Sequence, residues 1–438
     1  MTPRELLVSV NDRRIGVLRE ADDLWAFAYD PEWSAADDAF DLSPALSRSR
    51  PEHVDGASQR PVQWYFDNLL PEEALRALLA KEAALPAEDA FGLLAYFGAE
   101  SAGSLILRQP DVPMQEASGL RPLPPAALSE RIRQLPQASL NQGAAKRMSL
   151  AGAQHKMVVV VRDGELFEPL PGTPSTHILK PNHPAAEYPA SVINEFFTMR
   201  LAHRMGLAVP SVALRYVPEP VYIVERFDRD AGILPKRHHI IDACQLLNKA
   251  RSFKYTAATL DTLAAIVAQC RARAATRLRL FRWLLFNTLV GNGDNHLKNL
   301  SFHVTPTGIN LAPAYDLLST AAYTTRAYAH ERASWPQVEL VLAIGEKRFF
   351  CDLDRQSFVE AGFGLGLTRQ TAAREIQRMA GTVLQQARAL AASLESELDG
   401  AVAASPDPKV AARFAAADRQ LLRVLNHIVI PDIATRFA

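Results

Sequence analysis

An apolar helical run, Leu280 to Val290, stops at a glycine and opens into Gly291-Asn292-Gly293-Asp294-Asn295-His296-Leu297-Lys298-Asn299. No other stretch constrains the fold of this chain as strongly. Glycine ends a helix because it enters the left-handed backbone region without a Cβ penalty. Of the six residues after the second glycine, 294–299, five are polar or charged. Seventeen residues after Asn299 comes Asp316, in Ala314-Tyr315-Asp316-Leu317. Between them, Leu300 to Val304 and Gly308 to Leu311 read as a short hairpin. Taken alone, Gly-Asp-Asn is an ordinary solvated turn. An acid placed behind a hairpin gives that turn a partner.

Phosphoryl transfer asks for this kind of partnership. A carboxylate orients and deprotonates the acceptor hydroxyl, and oxygen ligands hold Mg²⁺ against the nucleotide phosphates. In protein kinases the base Asp and a ligand Asn lie five positions apart on one loop, and a second metal-binding Asp follows a hairpin later. Asp294 and Asn299 have that spacing, and Asp316 has that placement. His296, two positions after Asp294, is nearer the lipid-kinase form of the loop.

Upstream residues supply candidates for the nucleotide side. Met148-Ser149-Leu150-Ala151-Gly152-Ala153-Gln154-His155-Lys156 is small and glycine-containing, and a valine-rich strand follows it. Such a loop lets backbone N–H groups approach phosphate oxygens, although it matches neither common glycine-rich fingerprint. Lys180 ends the strand His177-Ile178-Leu179-Lys180, where an ammonium can reach α- and β-phosphates. Glu195 lies on the following helical run and is a candidate partner for Lys180. Val224-Glu225-Arg226-Phe227-Asp228 leaves a strand before the helical part of the chain, the place of a kinase hinge. There the Glu225–Phe227 backbone suits an adenine edge, and Phe227 suits its face. The bland alternative for this segment is a strand end with an exposed salt bridge.

The order of elements places these motifs. Leu6 to Val10, Arg14 to Leu18 and Leu24 to Tyr29 read as antiparallel strands around an Asn11-Asp12 turn. Helical patterns start at Pro71 and cover Gly92 to Gly98. Prolines 110, 113, 122, 124, 125 and 136 mark 109–145 as a linker or boundary. Strands and a helix from Ala190 to Met205 follow, and the rest is mostly helical, with a long run over Glu375 to Glu397. The expected division is an N-terminal β-rich module (1–108), the linker (109–145), a small lobe with the phosphate loop (146–227) and a helical lobe with the catalytic loop (228–438). At 438 residues, two or three domains are expected.

Composition narrows the function classes. The formal net charge is zero, so the whole chain is no electrostatic magnet for nucleic acid. Cys244, Cys270 and Cys351 are scattered and odd in number, which fits neither a zinc ribbon nor a disulfide framework. With a start that lacks a signal-peptide pattern and no apolar run of membrane-spanning length, a cytoplasmic protein with no membrane partner is expected.

Six segments together resemble the HipA-like serine/threonine kinase toxins in order and spacing. They are Ser-Leu-Ala-Gly-Ala-Gln-His-Lys (149–156), Thr-His-Ile-Leu-Lys-Pro (176–181), Asn-Glu-Phe-Phe (194–197), Val-Glu-Arg-Phe-Asp-Arg (224–229), 291–299, and Pro-Ala-Tyr-Asp-Leu (313–317). Trp-Tyr-Phe-Asp-Asn-Leu-Leu-Pro-Glu (64–72) and Ala-Gly-Ser-Leu (102–105) resemble the family's N-terminal module. The resemblance implies an α+β, two-lobed, protein-kinase-like fold of the lipid-kinase branch, with an added β-rich module and a mostly helical C-terminal lobe. It implies Asp294 as catalytic base, Asn299 and Asp316 on Mg²⁺, Lys180 on ATP phosphates, and Glu225 and Phe227 at the adenine. Ala151, Gly152 and Ala153 would belong to the phosphate loop, and His296 and Lys298 to the nucleotide side of the catalytic loop. Ser149 would be an autophosphorylation site whose added charge expels the loop and switches the kinase off. It further implies a HipB-like DNA-binding antitoxin as partner, operator DNA reached mainly through that antitoxin, and a protein substrate of the aminoacyl-tRNA synthetase class. The competing readings are a metal-dependent hydrolase using Asp294, His296 and Asp316, a catalytically inactive kinase-fold corepressor, and a small-molecule or lipid kinase. The hydrolase reading leaves the upstream strands unexplained. Nothing in the sequence suggests a membrane-surface patch for a lipid kinase.

Overall fold

The computed structural model describes residues 3–112, 118–146, 148, 150–232 and 235–437. They divide into two compact units, each discontinuous in sequence. The first takes the described residues up to Leu179, with Glu225–Phe253 and Ser301–Ala312; the second takes Lys180–Val224, Lys254–Leu300 and the chain from Pro313.

In the first unit, Arg4–Val10 pairs antiparallel with Arg13–Ala21, and Leu24–Tyr29 continues the meander around the Asn11-Asp12 and Asp22-Asp23 turns. Asn11, Asp22 and Asp23 all have positive φ, a conformation that Asn and Asp tolerate better than most residues. Glu52–Val54 and Leu105–Arg108 extend the sheet to five strands. Strand alternation turns Leu6, Val8, Leu18, Trp25 and Phe27 inward, and Ile15, at the register shift opposite Val8 and Ser9, is buried as well. Three helices, Pro61–Asp67, Glu73–Glu82 and Ala90–Phe97, supply Phe66, Leu79 and Phe91 to the same core. Phe27 lies 5.7 Å from Phe66 and Trp25 lies 5.2 Å from Phe91, ring centre to ring centre.

The 109–145 stretch reads as a linker, but its described part is built structure. Leu120–Pro122 pairs with Glu165–Pro169, and Pro125–Arg133 is a helix with proline at its first turn. The prolines therefore stop a strand and start a helix, while Leu123, Leu128 and Leu140 are buried. Met157–Arg162 pairs on one side with Glu165–Pro169 and on the other with His177–Leu179. Ile240–Asp242, Ser301–Thr305 and Gly308–Leu311 complete the unit as a three-stranded sheet.

Helices dominate the second unit. Ser191–Arg204 ends at Met205, with Gly206 beyond it at φ +83°. The hairpin Val212–Tyr216 and Pro220–Val224 follows. Arg273–Leu289 carries Leu280, Phe281, Leu284 and Leu285 into the core. The longest element, Arg369–Ala403, buries Ile376, Met379, Val383, Ala387, Leu390 and Leu394, the three- and four-residue spacing of one helix face. Pro408–Val424 packs against it and continues through a π turn into Ile430–Arg436. Among the described residues, no helix is long and apolar enough to cross a membrane.

Candidate active site

The loop after Arg273–Leu289 is fixed by its own polar side chains. Gly291 has φ +68°, and a Cβ there would come within 2.7 Å of the Ala321 methyl, so only glycine fits. Asn292 donates to Asn287 Oδ1 at 2.7 Å and accepts from the Asp294 amide at 2.9 Å. Gly293 N–H donates to Thr320 Oγ1 at 2.7 Å, and Ala321 N–H donates to the Gly291 carbonyl at 2.9 Å. The Tyr315 hydroxyl donates to the Lys298 carbonyl at 2.8 Å. The loop and the segment around Asp316 are thus laced together, as their sequence spacing predicts.

Within that lacing, Asn299 is buried and its amide nitrogen donates to the Asp294 carbonyl at 2.9 Å. This commits the nitrogen and presents the oxygen as the end suited to a cation. Asp316 sits at φ +57°, the left-handed region that Asp enters more readily than most residues. Its Oδ1 accepts from Lys180 Nζ at 2.7 Å, and the same ammonium donates to both oxygens of Glu195 at 2.8 and 3.0 Å. Lys180 and Glu195 are buried, whereas the Asp316 side chain is 31% exposed. Burial alone would drive the Lys180 proton off; the Asp316 and Glu195 carboxylates outweigh it, and the amine's pKa is raised. Tyr222 lies beside the pair, its ring centre 5.8 Å from Lys180 Nζ. Burial, with the charges of Glu195 and Asp316, pushes its phenol well above its ordinary value.

Asp294 is only partly covered, and its carboxyl is shifted up, mainly by burial and further by the charge of Asp316. His296, the Tyr255 hydroxyl and Lys254 pull it the other way. Tyr255 donates to Asp294 Oδ1 at 2.9 Å, and its ring meets His296 edge-on at 5.0 Å. His296 and Lys298 are both buried. Lys180, Glu195, Asp294, His296, Lys298, Asn299 and Asp316 therefore all belong to the second unit. Two hard oxygen donors, from Asn299 and Asp316, are of the type that suits Mg²⁺. Among the described residues, no three His, Cys, Asp or Glu side chains are grouped to hold a metal by themselves.

Of the other predicted residues, Ala151, Gly152, Ala153, Glu225 and Phe227 lie in the first unit. Gly152 has φ +105°, its carbonyl accepts from Glu72 N–H at 3.3 Å, and Lys156 Nζ caps the Ala151 carbonyl at 2.6 Å. Ala153 is exposed beside them. Ser149 lies outside the described residues. Glu225 is exposed, and Phe227 is half-buried with its ring 5.9 Å from that of His303.

Sequence reasoning did not find what lies between and beside Glu225 and Phe227. Arg226, Asp228 and Arg229 are buried, in place of an exposed salt bridge. Arg226 and Arg229 donate to Glu100 Oε1 at 3.0 and 2.9 Å, while Lys146 and Arg237 donate to Oε2 at 2.6 and 2.9 Å. Nothing local marks this cluster, because Glu100 is 126 positions from Arg226. Tyr222 and Tyr255 were missed for a similar reason: each reads as an ordinary aromatic until the fold sets it against a carboxylate.

A family model described as HipA-like C-terminal domain matches residues 148–387, and one described as HipA N-terminal domain matches residues 6–108. The putative kinase Y4mE of Sinorhizobium fredii is 35% identical over 390 residues, covering 85% of this chain and 87% of the relative. The serine/threonine-protein kinase toxin HipA of Shewanella oneidensis is 31% identical over 324 residues, covering 69% of this chain and 71% of the relative. Among solved structures, the complex of Shewanella oneidensis HipA, HipB and operator DNA contains a chain that matches with TM-score 0.73 and 26% identity. That match covers 98% of this chain and 99% of the other. The expected kinase-toxin fold is therefore the fold found, and with a family model spanning more than half its length the chain belongs to the HipA family.

Proposed function

We propose that this chain is an ATP- and Mg²⁺-dependent serine/threonine protein kinase acting as the toxin of a toxin–antitoxin pair. The observation that carries the reading is Lys180, buried and shared between Glu195 and the partly exposed Asp316, beside a loop that holds Asp294 and Asn299. Glu195 fixes the ammonium, which is then placed to meet nucleotide phosphates. Asn299 Oδ1 and the Asp316 carboxylate would hold Mg²⁺ together with phosphate oxygens; the ion supplies charge neutralisation at the transferring phosphoryl group. Asp294 accepts the proton of the acceptor hydroxyl. Ala151, Gly152 and Ala153 offer backbone groups to phosphates, His296 and Lys298 complete the nucleotide side, and the Glu225 and Phe227 segment receives the adenine.

Family likeness extends the proposal to regulation and partners. Phosphorylation of Ser149 would place nearly two negative charges in the phosphate loop and disable it. The solved relative sits with HipB on operator DNA, which supports a HipB-like antitoxin as partner here, with DNA contacted mainly through it. An aminoacyl-tRNA synthetase is the proposed protein substrate.

The test is incubation of the purified chain with γ-labelled ATP and Mg²⁺, alone and with a cell extract, followed by mass spectrometry of labelled proteins. Label is expected on Ser149 and on one extract protein. Asp294→Asn should cut incorporation about a thousandfold while leaving the melting temperature unchanged. Equal incorporation by the variant would remove Asp294 as base.

A further inference from the structure

A general base needs one oxygen facing the acceptor and a reason not to rotate. Asp294 is a short side chain on a loop, and a hydrogen bond to its carboxylate comes from outside that loop. The Tyr255 hydroxyl donates to Oδ1 at 2.9 Å. The tyrosine and its neighbour are themselves held. Leu297 N–H, inside the catalytic loop, donates to the Lys254 carbonyl at 3.1 Å, so the Lys254-Tyr255 backbone is tied to the loop it serves. The Tyr255 ring stands edge-on to His296, with centres 5.0 Å apart and planes at 79°. Lys254 Nζ lies 4.9 Å from the ring centre, within cation–π range. Yet the residue is 41% exposed. A large aromatic held by His296 and Lys254 and still open on one side is poor core and well suited to a brace.

We propose that Tyr255 is a positioning residue for the acceptor side of the site. By occupying Oδ1 of Asp294, its hydroxyl directs Oδ2 toward the incoming hydroxyl, and Lys254 holds the ring in place. The inference rests on the kinase reading given above. Orientation by a hydrogen bond to the far oxygen is the same device by which outer partners aim catalytic and metal-binding side chains, where losing the partner costs about tenfold or more.

The experiment compares the full-length chain with Tyr255→Phe, which deletes one oxygen and keeps the ring, and with Lys254→Met. Initial rates of γ-phosphate incorporation into the chain itself are measured against ATP concentration with Mg²⁺, and labelled sites are mapped by mass spectrometry. Tyr255→Phe is expected to lower the maximal rate about tenfold, with unchanged half-saturating ATP and melting temperature. Lys254→Met is expected to lower it less, with the same split. An undiminished rate in Tyr255→Phe overturns the positioning role while leaving the kinase reading intact. So does a loss of rate that comes with weaker ATP saturation or a lower melting temperature, since that is what a structural role produces. Label found on Tyr255 itself also overturns it, because the hydroxyl is then an acceptor and not a brace. Absence of label on the wild-type chain removes the kinase reading, and with it this inference.

Discussion

Each compact unit buries a cluster of charges, and the two clusters are built differently. In the first unit, four cations (Lys146, Arg226, Arg229 and Arg237) surround Glu100, and two of them also pair with Asp228. No side chain in this knot is more than 6% exposed. Its remaining bonds go inward too: Ser175 donates to Glu100, Gly103 N–H donates to Asp228, and Arg226 donates to the Ser101 carbonyl. In the second unit, one cation, Lys180, meets two carboxylates, and one of those is 31% exposed. The first cluster is closed to solvent on every side chain, so it holds the chain together. The second leaves a carboxylate oxygen within reach of solvent, which is what a site that exchanges ligands requires. Strongly shifted ionisation marks both and does not by itself tell them apart; exposure does.

Removing the centre of the closed cluster should have the largest effect. Burial pushes the Glu100 carboxyl up, but the four cations outweigh it and hold it well below the usual carboxylate range. Glu100→Ala leaves those cations buried without their common anion. A loss of about 5 kcal/mol in unfolding free energy is expected, the upper end for breaking a buried pair. Denaturant titration of the two proteins measures it. A loss below about 1 kcal/mol would mean the knot is hydrated like a surface pair, and the contrast between the clusters would dissolve.

How much of this was legible in the sequence follows from the same contrast. The half of the candidate site that follows the long apolar helix is local: Asp294 and Asn299 are five positions apart, and the hairpin that returns to Asp316 is readable from alternation and turn chemistry. Lys180 and Glu195 are fifteen positions apart across one strand-to-helix step, and the structure joins them. The knot joins Glu100, Lys146, Arg226 and Arg237 over a span of 137 positions, and no spacing rule announces such a set. Tyr255 stands 39 positions before Asp294 and was invisible for the same reason. Proline misled in one place. Pro122, Pro124 and Pro125 read as a spacer, but proline also suits a strand end and the first helical turn, and that is where they lie.

A buried acid of a third kind sharpens the comparison. Asp418, on Pro408–Val424, is fully buried, and its hydrogen bond comes from a neutral group, the Tyr216 hydroxyl. Burial pushes its carboxyl up to about 7, against the Tyr216 hydrogen bond and the Arg419 charge. A carboxyl whose folded pKa is raised stabilises the fold fully below its unfolded pKa, and loses that contribution as pH rises through the folded value. Between about pH 5 and pH 8 the wild-type chain should therefore lose about 3 kcal/mol relative to Asp418→Asn, whose amide keeps the acceptor for Tyr216 and cannot ionise. The difference between the two stability–pH curves isolates this group from the histidines. Parallel curves would show that Asp418 is charged in the fold, paired in a way its surroundings do not suggest.

The smallest expected effect separates the clusters most cleanly. Lys146 and Lys180 are both buried lysines hydrogen-bonded to a glutamate, at 2.6 and 2.8 Å. Their surroundings give them opposite weight. Around Lys146 there are more cations than carboxylates, so removing one charge relieves repulsion among Arg226, Arg229 and Arg237 while Glu100 keeps three partners. Methionine fills a similar volume, and its thioether needs no hydrogen bond. The Thr173 carbonyl loses one donor, and the net cost of Lys146→Met should be about 1 kcal/mol, with phosphate incorporation unchanged. Around Lys180 the balance is reversed. Lys180→Met leaves Glu195 and Asp316 facing each other without the ammonium that joins them, and removes the charge proposed to meet the nucleotide. Incorporation should then fall by at least about a hundredfold, whatever happens to stability. Paired melting curves and labelling assays on the two variants decide the matter. If Lys146→Met loses as much activity as Lys180→Met, the closed cluster is part of the catalytic machinery, and burial is the wrong criterion for telling a fastener from a site.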